Sequence, residues 1–215
     1  QTLSSVLLPM TLRTPEDFVR NESKVQLVQG LIFGLVVCML LYSLAHWISL
    51  RDPVFLDYAM LLLGNTVFSL AYFGIGAQYL WADWPTLSLQ AAPMGIMLAV
   101  FAGTRFTRAT LAVHQISPRL DLLLRLAGIA AVVGFVGTLL GLLGYRSSQT
   151  VVTVLGLVGT CAVLPVAAIG ARRGERVAAY MLFGWAIYST GALTMAGLLR
   201  GLVEPTFWSQ HLYPF

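Results

Sequence analysis

Charged residues are scarce in this sequence. Only 10% of its 215 residues are Asp, Glu, Lys or Arg, whereas 58% are hydrophobic, and the mean hydropathy is +0.80. A soluble globular domain carries about 25% charged residues. A chain so poor in charge cannot cover a surface that faces water on all sides, so the composition excludes a soluble globular protein and indicates one embedded in lipid.

Cysteine and lysine are also scarce. Cys38 and Cys161 both lie inside long apolar runs, where thiols behave as small buried hydrophobes and provide no disulfide framework. Lys24 is the single lysine, and the other basic residues are arginines scattered near the ends of the apolar runs. The formal net charge of +4 therefore forms no basic patch, and we expect no nucleic-acid partner.

The groups that carry catalysis are missing from the apolar runs. No pair of acids lies inside them, which argues against proton-coupled transport and intramembrane aspartyl proteolysis. His46, His114 and His211 have no partner at metal-ligand spacing. No nucleophile elbow, phosphate-binding loop or dinucleotide fingerprint occurs. From these absences we predict no catalytic residue, no metal site and no cofactor in this chain.

Long uncharged stretches, by contrast, are abundant. Six of them approach or exceed about 20 residues, the length that a helix needs to cross about 30 Å of hydrocarbon. Helices are required, because an open strand would leave backbone groups unpaired in lipid. The sequence therefore predicts an all-α fold, a polytopic transmembrane helix bundle. The predicted spans are 26–50, 55–77, 87–104, 122–144, 149–171 and 177–199.

The first 25 residues differ in character from the rest. Residues 6–13 are typical of an extended strand, in which Pro9 indicates an edge position or a bulge. Pro15 follows the potential cap Thr14 and precedes two acids, a pattern that favours a helix start. We predict that residues 1–25 are the end of an extracytoplasmic sensor domain, with a short β segment and a juxtamembrane linker, and that residues 26–215 form the bundle.

Arginines are unevenly shared between the links that join the predicted spans. The links after spans two and four hold only Arg146, and Arg200 lies at the end of span six. Because positive charge is retained on the cytoplasmic side, we expect the arginine-rich links inside and the N-terminus outside. Trp and Tyr residues near the proposed outer ends agree with this orientation. The links after spans one, three and five hold Arg51, Arg105, Arg108, Arg119, Arg125, Arg172, Arg173 and Arg176.

Glycines spaced four residues apart predict places where helices approach closely. Gly30 and Gly34 form such a pair in span one, and Gly137 and Gly141 form another in span four. Packing within the chain is the ordinary role of such pairs, and a dimer face on span one or four is the alternative. The four glycines are our candidate helix-packing residues.

A few polar side chains lie within the predicted spans. Asn65 is the most polar of those deep in a span, and with Tyr42, His46 and Tyr72 it predicts an intramembrane polar pocket. The alternatives are an interhelical hydrogen bond from Asn65 and an interfacial position for His46.

The arginine-rich links are the remaining candidate surface. The predicted cytoplasmic residues are Arg105 and Arg108 after span three, and Arg172, Arg173 and Arg176 after span five. One interpretation is a positive anchor on anionic lipid. The other is a docking surface for a cytoplasmic signalling domain.

A series of short motifs runs along the chain. They are GLIFG at 30–34, LYSL at 41–44 and RDPVFLDY at 51–58; Gly74 with YLW at 79–81 and Pro85; FTR at 106–108 with Leu111 and Pro118; and GLVEP at 201–205. In this order and spacing they resemble the bacterial seven-transmembrane receptors with diverse intracellular signalling modules. Residues 1–25 are similar to the end of the exported, carbohydrate-binding-like sandwich domain that precedes the bundle in many members.

The resemblance implies a sensor in the bacterial inner membrane. That family has seven spans and this sequence has six predicted ones, so we expect the chain to stop before the seventh span and before an effector. The implied partners are the lipid bilayer, a second copy in a homodimer, and a cytoplasmic signalling domain of the same full-length chain. That domain would be a histidine kinase, as in a two-component system, or a diguanylate cyclase or phosphodiesterase. The extracytoplasmic ligand is not identified.

Two functions from different classes remain open at this point. The first is the membrane relay of a signal-transduction receptor, and the second is a small transporter or lipid-binding membrane protein. A transporter is expected to show repeated halves or broken helices that carry ion ligands, and no convincing repeat occurs. An intramembrane enzyme is disfavoured by the missing acid–base groups.

Overall fold

The computed structural model describes the backbone of residues 15–199 and the side chains of residues 23 and 26–191. Within that part of the chain every regular element is helical, which confirms the all-α prediction. The strand predicted at 6–13 lies outside the described residues. The elements are α1 (Pro15–Leu50), α2 (Pro53–Tyr72), a π-helical turn (Gly76–Leu80), α3 (Pro85–Thr110), α4 (Val113–Ile116), α5 (Pro118–Leu139), α6 (Tyr145–Arg172) and α7 (Arg176–Leu199).

Most predicted spans coincide with helices that are long and apolar enough to cross a membrane. Among the described residues there are five such helices, and the chain is therefore a multi-pass membrane protein. The sixth predicted span, 177–199, coincides with α7, whose side chains are described only as far as residue 191. The five are Gln26–Leu50, Pro53–Tyr72, Pro85–Thr110, Pro118–Leu139 and Tyr145–Arg172.

Helix α1 begins at Pro15, where the sequence predicts a helix start. It runs without a break for 36 residues, which is about 54 Å at 1.5 Å per residue. The predicted domain boundary after residue 25 therefore falls inside a single helix. Because the helix is longer than about 30 Å of hydrocarbon, its N-terminal part extends beyond the membrane core.

Two spans end earlier than predicted because a glycine stops each helix. Helix α2 ends at residue 72 and α5 at residue 139, instead of 77 and 144. Gly74 and Gly141 follow these helices with φ angles of 74° and 70°. This left-handed backbone carries no steric cost for glycine and ends a helix by turning the chain away. Boundaries predicted from charged residues alone missed these turns.

Helix α3 lies at the centre of the bundle, in contact with α2, α5 and α6. A Cβ built on Gly95 would lie 2.7 Å from the carbonyl oxygen of Gly64 on α2, and one built on Gly64 would lie 2.6 Å from the backbone nitrogen of Ala99. The two backbones are thus in direct contact, which is possible because neither helix has a side chain at the crossing. Gly95 belongs to a buried row with four-residue spacing that also holds Ala91, Ala99 and Gly103.

Helix α1 lies at the edge of the bundle and packs mainly on α2, while α7 packs mainly on α6. Leu27, Leu31 and Leu35 on α1 are 63%, 67% and 60% exposed. Such apolar faces are suited to contact with lipid. Cys38 on α1 and Cys161 on α6 are also exposed on the outside of the bundle, whereas the sequence predicted small buried hydrophobes.

The α1–α2, α3–α5 and α6–α7 links meet at one end of the bundle, called here the arginine end. Asp57 at the start of α2 is paired with Arg105 near the end of α3. Ile116 of α4 packs beside Gly170 at the end of α6, 3.9 Å from the place of a Cβ there. These contacts bring together the links that carry the eight arginines predicted to share one side.

At the other end, the first turns of α3 meet the turn between α5 and α6. The side-chain amide of Gln90 on α3 donates a hydrogen bond to the carbonyl of Leu143 at 3.3 Å. In the same hairpin, the hydroxyls of Thr138 and Ser148 lie 3.0 Å apart and join α5 to α6. Arg146 is the single arginine at this end among the described residues.

Candidate functional site at the arginine end

Two acids are buried at the arginine end. Asp57 on α2 is 3% exposed and Asp121 on α5 is 6% exposed. Burial of an ionised carboxylate is costly unless the charge is paired. Both acids find partners on α3, whose last turns carry Arg105 and Arg108. Opposite charge therefore ties α3 to a neighbouring helix on each of two sides.

The pair between α2 and α3 combines charge with aromatic contact. Nε of Arg105 lies 2.9 Å from Oδ1 of Asp57. The two groups form an ion pair, but the N–H is not directed at Oδ1 and makes no hydrogen bond to it. The Arg105 guanidinium lies 5.6 Å from the centroid of the Phe101 ring. Tyr58 follows Asp57 in the chain and Phe106 follows Arg105, and the rings of these two aromatic residues lie 5.5 Å apart. These contacts attach the start of α2 to the end of α3.

The pair between α3 and α5 is a bridge with two arginines. Nε of Arg108 donates to Oδ1 of Asp121 at 2.6 Å, and Nε of Arg125 donates to Oδ2 at 2.8 Å. Arg125 is four residues along α5 from Asp121, a spacing that places both on one helix face. Asp121 also lies in the first turn of α5, where the helix dipole favours a negative charge. The bridge fixes the end of α3 against the start of α5.

Two buried threonines on α3, Thr104 and Thr107, each directly precede one of the paired arginines. The hydroxyl of Thr104 donates to the carbonyl of Phe101 at 2.9 Å and fits against Gly128 of α5, where a Cβ would come within 2.9 Å. Thr107 is fully buried, and no group in the described part of the chain accepts or donates a hydrogen bond at its hydroxyl. An unsatisfied buried hydroxyl costs about 1–3 kcal/mol.

The structure divides the five predicted surface arginines into two groups. Arg105 and Arg108 belong to helix α3 and pair with buried acids, so they hold the bundle together instead of forming a free loop. Arg172, Arg173 and Arg176 are exposed at the turn between α6 and α7. No acid in the described part of the chain lies within ion-pair distance of these three.

The four predicted helix-packing glycines also have different surroundings. A Cβ on Gly30 or Gly34 would have no described atom within 4 Å, so their side of α1 faces away from the other helices of the described chain. Gly137 packs against Leu143 of its own hairpin, where a Cβ would lie 3.2 Å from the side chain. Gly141 lies in the turn after α5 and not on a helix face, because its left-handed backbone ends the helix.

Of the four predicted pocket residues, two lie together on α1 and the other two lie at separate places on α2. On α1 the rings of Tyr42 and His46 lie 4.1 Å apart, and the His46 ring lies 5.2 Å from that of Phe55 on α2. Asn65 donates a hydrogen bond to the Leu61 carbonyl of its own helix at 3.0 Å. Tyr72 lies two turns further along α2, 41% exposed. A pocket that joins all four stays a prediction.

Sequence reasoning missed the acids and the glycines that organise the bundle. Asp121 and Arg125 stand four residues apart with opposite charges, which is a helical ion-pair spacing that the sequence displays. The row of small residues in α3 that contains Gly95 was equally visible, and it is longer than any glycine pair chosen. Asp57 had no such local signal, because its partner is far away in the chain.

Most of the chain is similar to a known protein family. A family model described as 7TM diverse intracellular signalling matches residues 25–215. The matched region includes the ion-pair network at the arginine end and every described helix after α1. No curated protein and no solved structure matches the chain.

Proposed function

Since the chain belongs to the 7TM diverse intracellular signalling family, as its short motifs predict, we propose that it is the membrane sensor and relay region of a bacterial signal-transduction receptor. In this proposal an extracytoplasmic cue acts on the bundle, and the bundle acts on a cytoplasmic effector that follows in the same polypeptide. The effector is a histidine kinase or an enzyme of cyclic-di-GMP metabolism. The family match is the observation that carries the proposal, and it favours a receptor over a transporter.

Helix α1 is suited to receive the cue. Its length of 36 residues takes it beyond the membrane core, so a displacement outside the membrane moves the whole helix. It packs mainly on α2, and the described residues place no atom near Gly30 or Gly34 on its open side. A helix held along one face repacks more easily than one enclosed by neighbours, and a two-state relay needs packings separated by only a few kcal/mol.

The ion-pair network is suited to pass the displacement on. Asp57 attaches α2, on which α1 packs, to Arg105 of α3. Asp121 attaches the next residues of α3 to α5 through Arg108. The backbone contact at Gly64 and Gly95 makes α2 and α3 move together. A shift of α1 against α2 would thus reach three helix ends at once, all on the side where we place the effector.

The proposal includes an orientation in the bacterial inner membrane. The arginine end is cytoplasmic because eight arginines lie there, and the N-terminus is periplasmic. A labelling experiment tests this in a background with Cys38→Ala and Cys161→Ala. Membrane-impermeant maleimide added to spheroplasts is expected to label Ala82→Cys at once and Arg173→Cys only after permeabilisation. The reverse order of labelling would contradict the orientation.

The receptor function is tested in the full-length gene product. We expect the full-length polypeptide to carry a soluble effector domain in addition to the bundle. Arg105→Gln should change the effector output in response to the cue, whereas Arg146→Gln, at the opposite end, should leave it unchanged. A stop codon directly after residue 215, or equal output from both variants, would argue against the relay.

The receptor is proposed to act as a homodimer through the open side of α1. Gly30, Gly34 and Cys38 form a row of small residues with four-residue spacing on that side, and such rows let two helices approach closely. Mild oxidation of membranes is expected to yield a disulfide-linked dimer that Cys161→Ala retains and Cys38→Ala loses. Gly34→Leu should reduce its yield. A dimer lost only with Cys161→Ala would place the interface on α6 instead.

A further inference from the structure

The turn between α6 and α7 concentrates arginines that have no acid partner in the described part of the chain. Arg172, Arg173 and Arg176 are all exposed there. The chain reverses at Gly174, whose φ is 86°, and the N–H of Glu175 donates to the carbonyl of Gly170 at 3.2 Å. This bond closes the end of α6 in a Schellman motif. Residues 172–176 are called the arginine turn below.

The acid within the arginine turn does not neutralise it. Oε2 of Glu175 lies 3.4 Å from the place of a Cβ on Gly170, so the carboxylate is folded back over the end of α6. No arginine of the described chain lies within ion-pair distance of it. Glu175 differs in this from Asp121, which binds both Arg108 and Arg125. The fold pairs the arginines between helices and leaves those of the turn available.

The arginine turn stands at the border of an apolar surface. On α7, directly after Arg176, Val177 is 52% exposed, Tyr180 is 78% exposed and Phe183 is 69% exposed. Such a face is suited to acyl chains, and a tyrosine one turn from the helix start is suited to the headgroup zone. We therefore expect the three guanidinium groups to lie at the depth of lipid phosphates. A guanidinium binds phosphate oxygens with two parallel hydrogen bonds.

We propose that the arginine turn binds the headgroup of an anionic phospholipid. Three positive side chains beside one displaced acid give a local positive charge, which attracts a headgroup of net negative charge and gains little from a zwitterionic one. Each arginine near a lipid surface contributes about five-fold in affinity. The binding is a property of the turn itself, and it holds whichever side of the membrane the arginine end occupies.

The test uses the full chain in nanodiscs that contain equal amounts of phosphatidylglycerol and phosphatidylcholine. Native mass spectrometry counts the lipids that remain bound on release. We expect the wild type to retain phosphatidylglycerol preferentially, R172Q/R173Q/R176Q to lose about 100-fold in that preference, and Arg173→Gln to lose about five-fold. Arg146→Gln is the matched control, because it removes one exposed arginine from the other end, and it should behave as the wild type.

Several outcomes would overturn the proposal. They are equal phosphatidylglycerol retention by the wild type and the triple variant, an equal loss with Arg146→Gln and Arg173→Gln, or displacement of the lipid by inorganic phosphate at matched concentration. Protection of the turn by a soluble domain of the full-length receptor, with no preference between the two lipids, would identify a protein partner instead. The single variant Arg173→Gln keeps the test decisive if the triple variant does not fold.

Discussion

Replacement of Gly95 by alanine tests whether α2 and α3 are held in direct backbone contact. The added methyl group would lie 2.7 Å from the carbonyl oxygen of Gly64 and 2.7 Å from the backbone nitrogen of Phe68. Neither atom can rotate away, since both belong to the backbone of α2. The two helices must therefore separate by roughly half an ångström or more before the contact becomes acceptable, which loosens the packing on both sides of the crossing.

The cost follows from the geometry. Overpacking in a well-packed interior costs about 1–3 kcal/mol. Alanine gains back up to about 1 kcal/mol relative to glycine through its higher helix propensity. Gly103→Ala is the matched control on the same helix and in the same row of small residues, because its methyl group would lie 3.4 Å from the mobile Cδ1 of Leu61. The propensity term is shared, so the two variants should differ by about 1–3 kcal/mol.

Loss of helical circular dichroism on titration with sodium dodecyl sulfate measures the difference in purified protein. Thiol-reactive unfolding dyes are unsuitable, because Cys38 and Cys161 are exposed in the folded chain. Gly95→Ala should unfold at a lower detergent fraction than the wild type, and Gly103→Ala at the same or a higher one. If the two variants unfold together, the backbone contact between α2 and α3 is not what holds these helices.

Three further predictions concern stability in the same assay. Asp121→Asn should destabilise the chain by about 2 kcal/mol, since the bridge to two arginines loses its charge; an unchanged midpoint would exclude it as a structural tie. Thr107→Val should leave stability unchanged or raise it by about 1 kcal/mol, because the shape is kept and an unsatisfied buried hydroxyl is removed, whereas a clear loss would reveal a hydrogen-bond partner. Gly174→Ala should cost about 1–2 kcal/mol, since its φ is 86°, whereas Gly144→Ala, at a φ of −72° in the N-cap of α6, should cost less, about 0.5 kcal/mol. Equal effects of the two glycine replacements would contradict the assignment of strain.

The fold class and the places of five spans were predictable because they depend on local composition. A run of about 20 apolar residues must be helical in lipid, whatever its neighbours are. Helix ends were less predictable, because a charge can be carried inside a helix when a partner neutralises it. Helix α3 is predicted to stop at residue 104 but continues to Thr110. Its last turns hold Arg105 and Arg108, whose charges are paired with acids on neighbouring helices.

The candidate site was only half predictable for the same reason. The sequence identified the arginine-rich links, since arginines are unevenly shared between the two ends of the bundle. It did not distinguish Arg108, which is paired across helices, from Arg173, which has no acid partner among the described residues. That distinction depends on which helices are neighbours. Likewise the spacing of Gly30 and Gly34 predicts a packing face, but only the position of α1 at the edge leaves that face open.

The two exposed thiols allow a distance within the bundle to be measured through native residues. Cys38 lies on the peripheral helix α1 and Cys161 on α6, which belongs to the body of the bundle. Both are exposed, so we expect both to react with a membrane-soluble spin label without any substitution. The separation between the two labels, measured by pulsed electron resonance in nanodiscs that hold a single chain, reports how far α1 moves relative to α6. A cue that acts by repacking α1 is expected to change the distance between these two labels, in a polypeptide that carries no substitution.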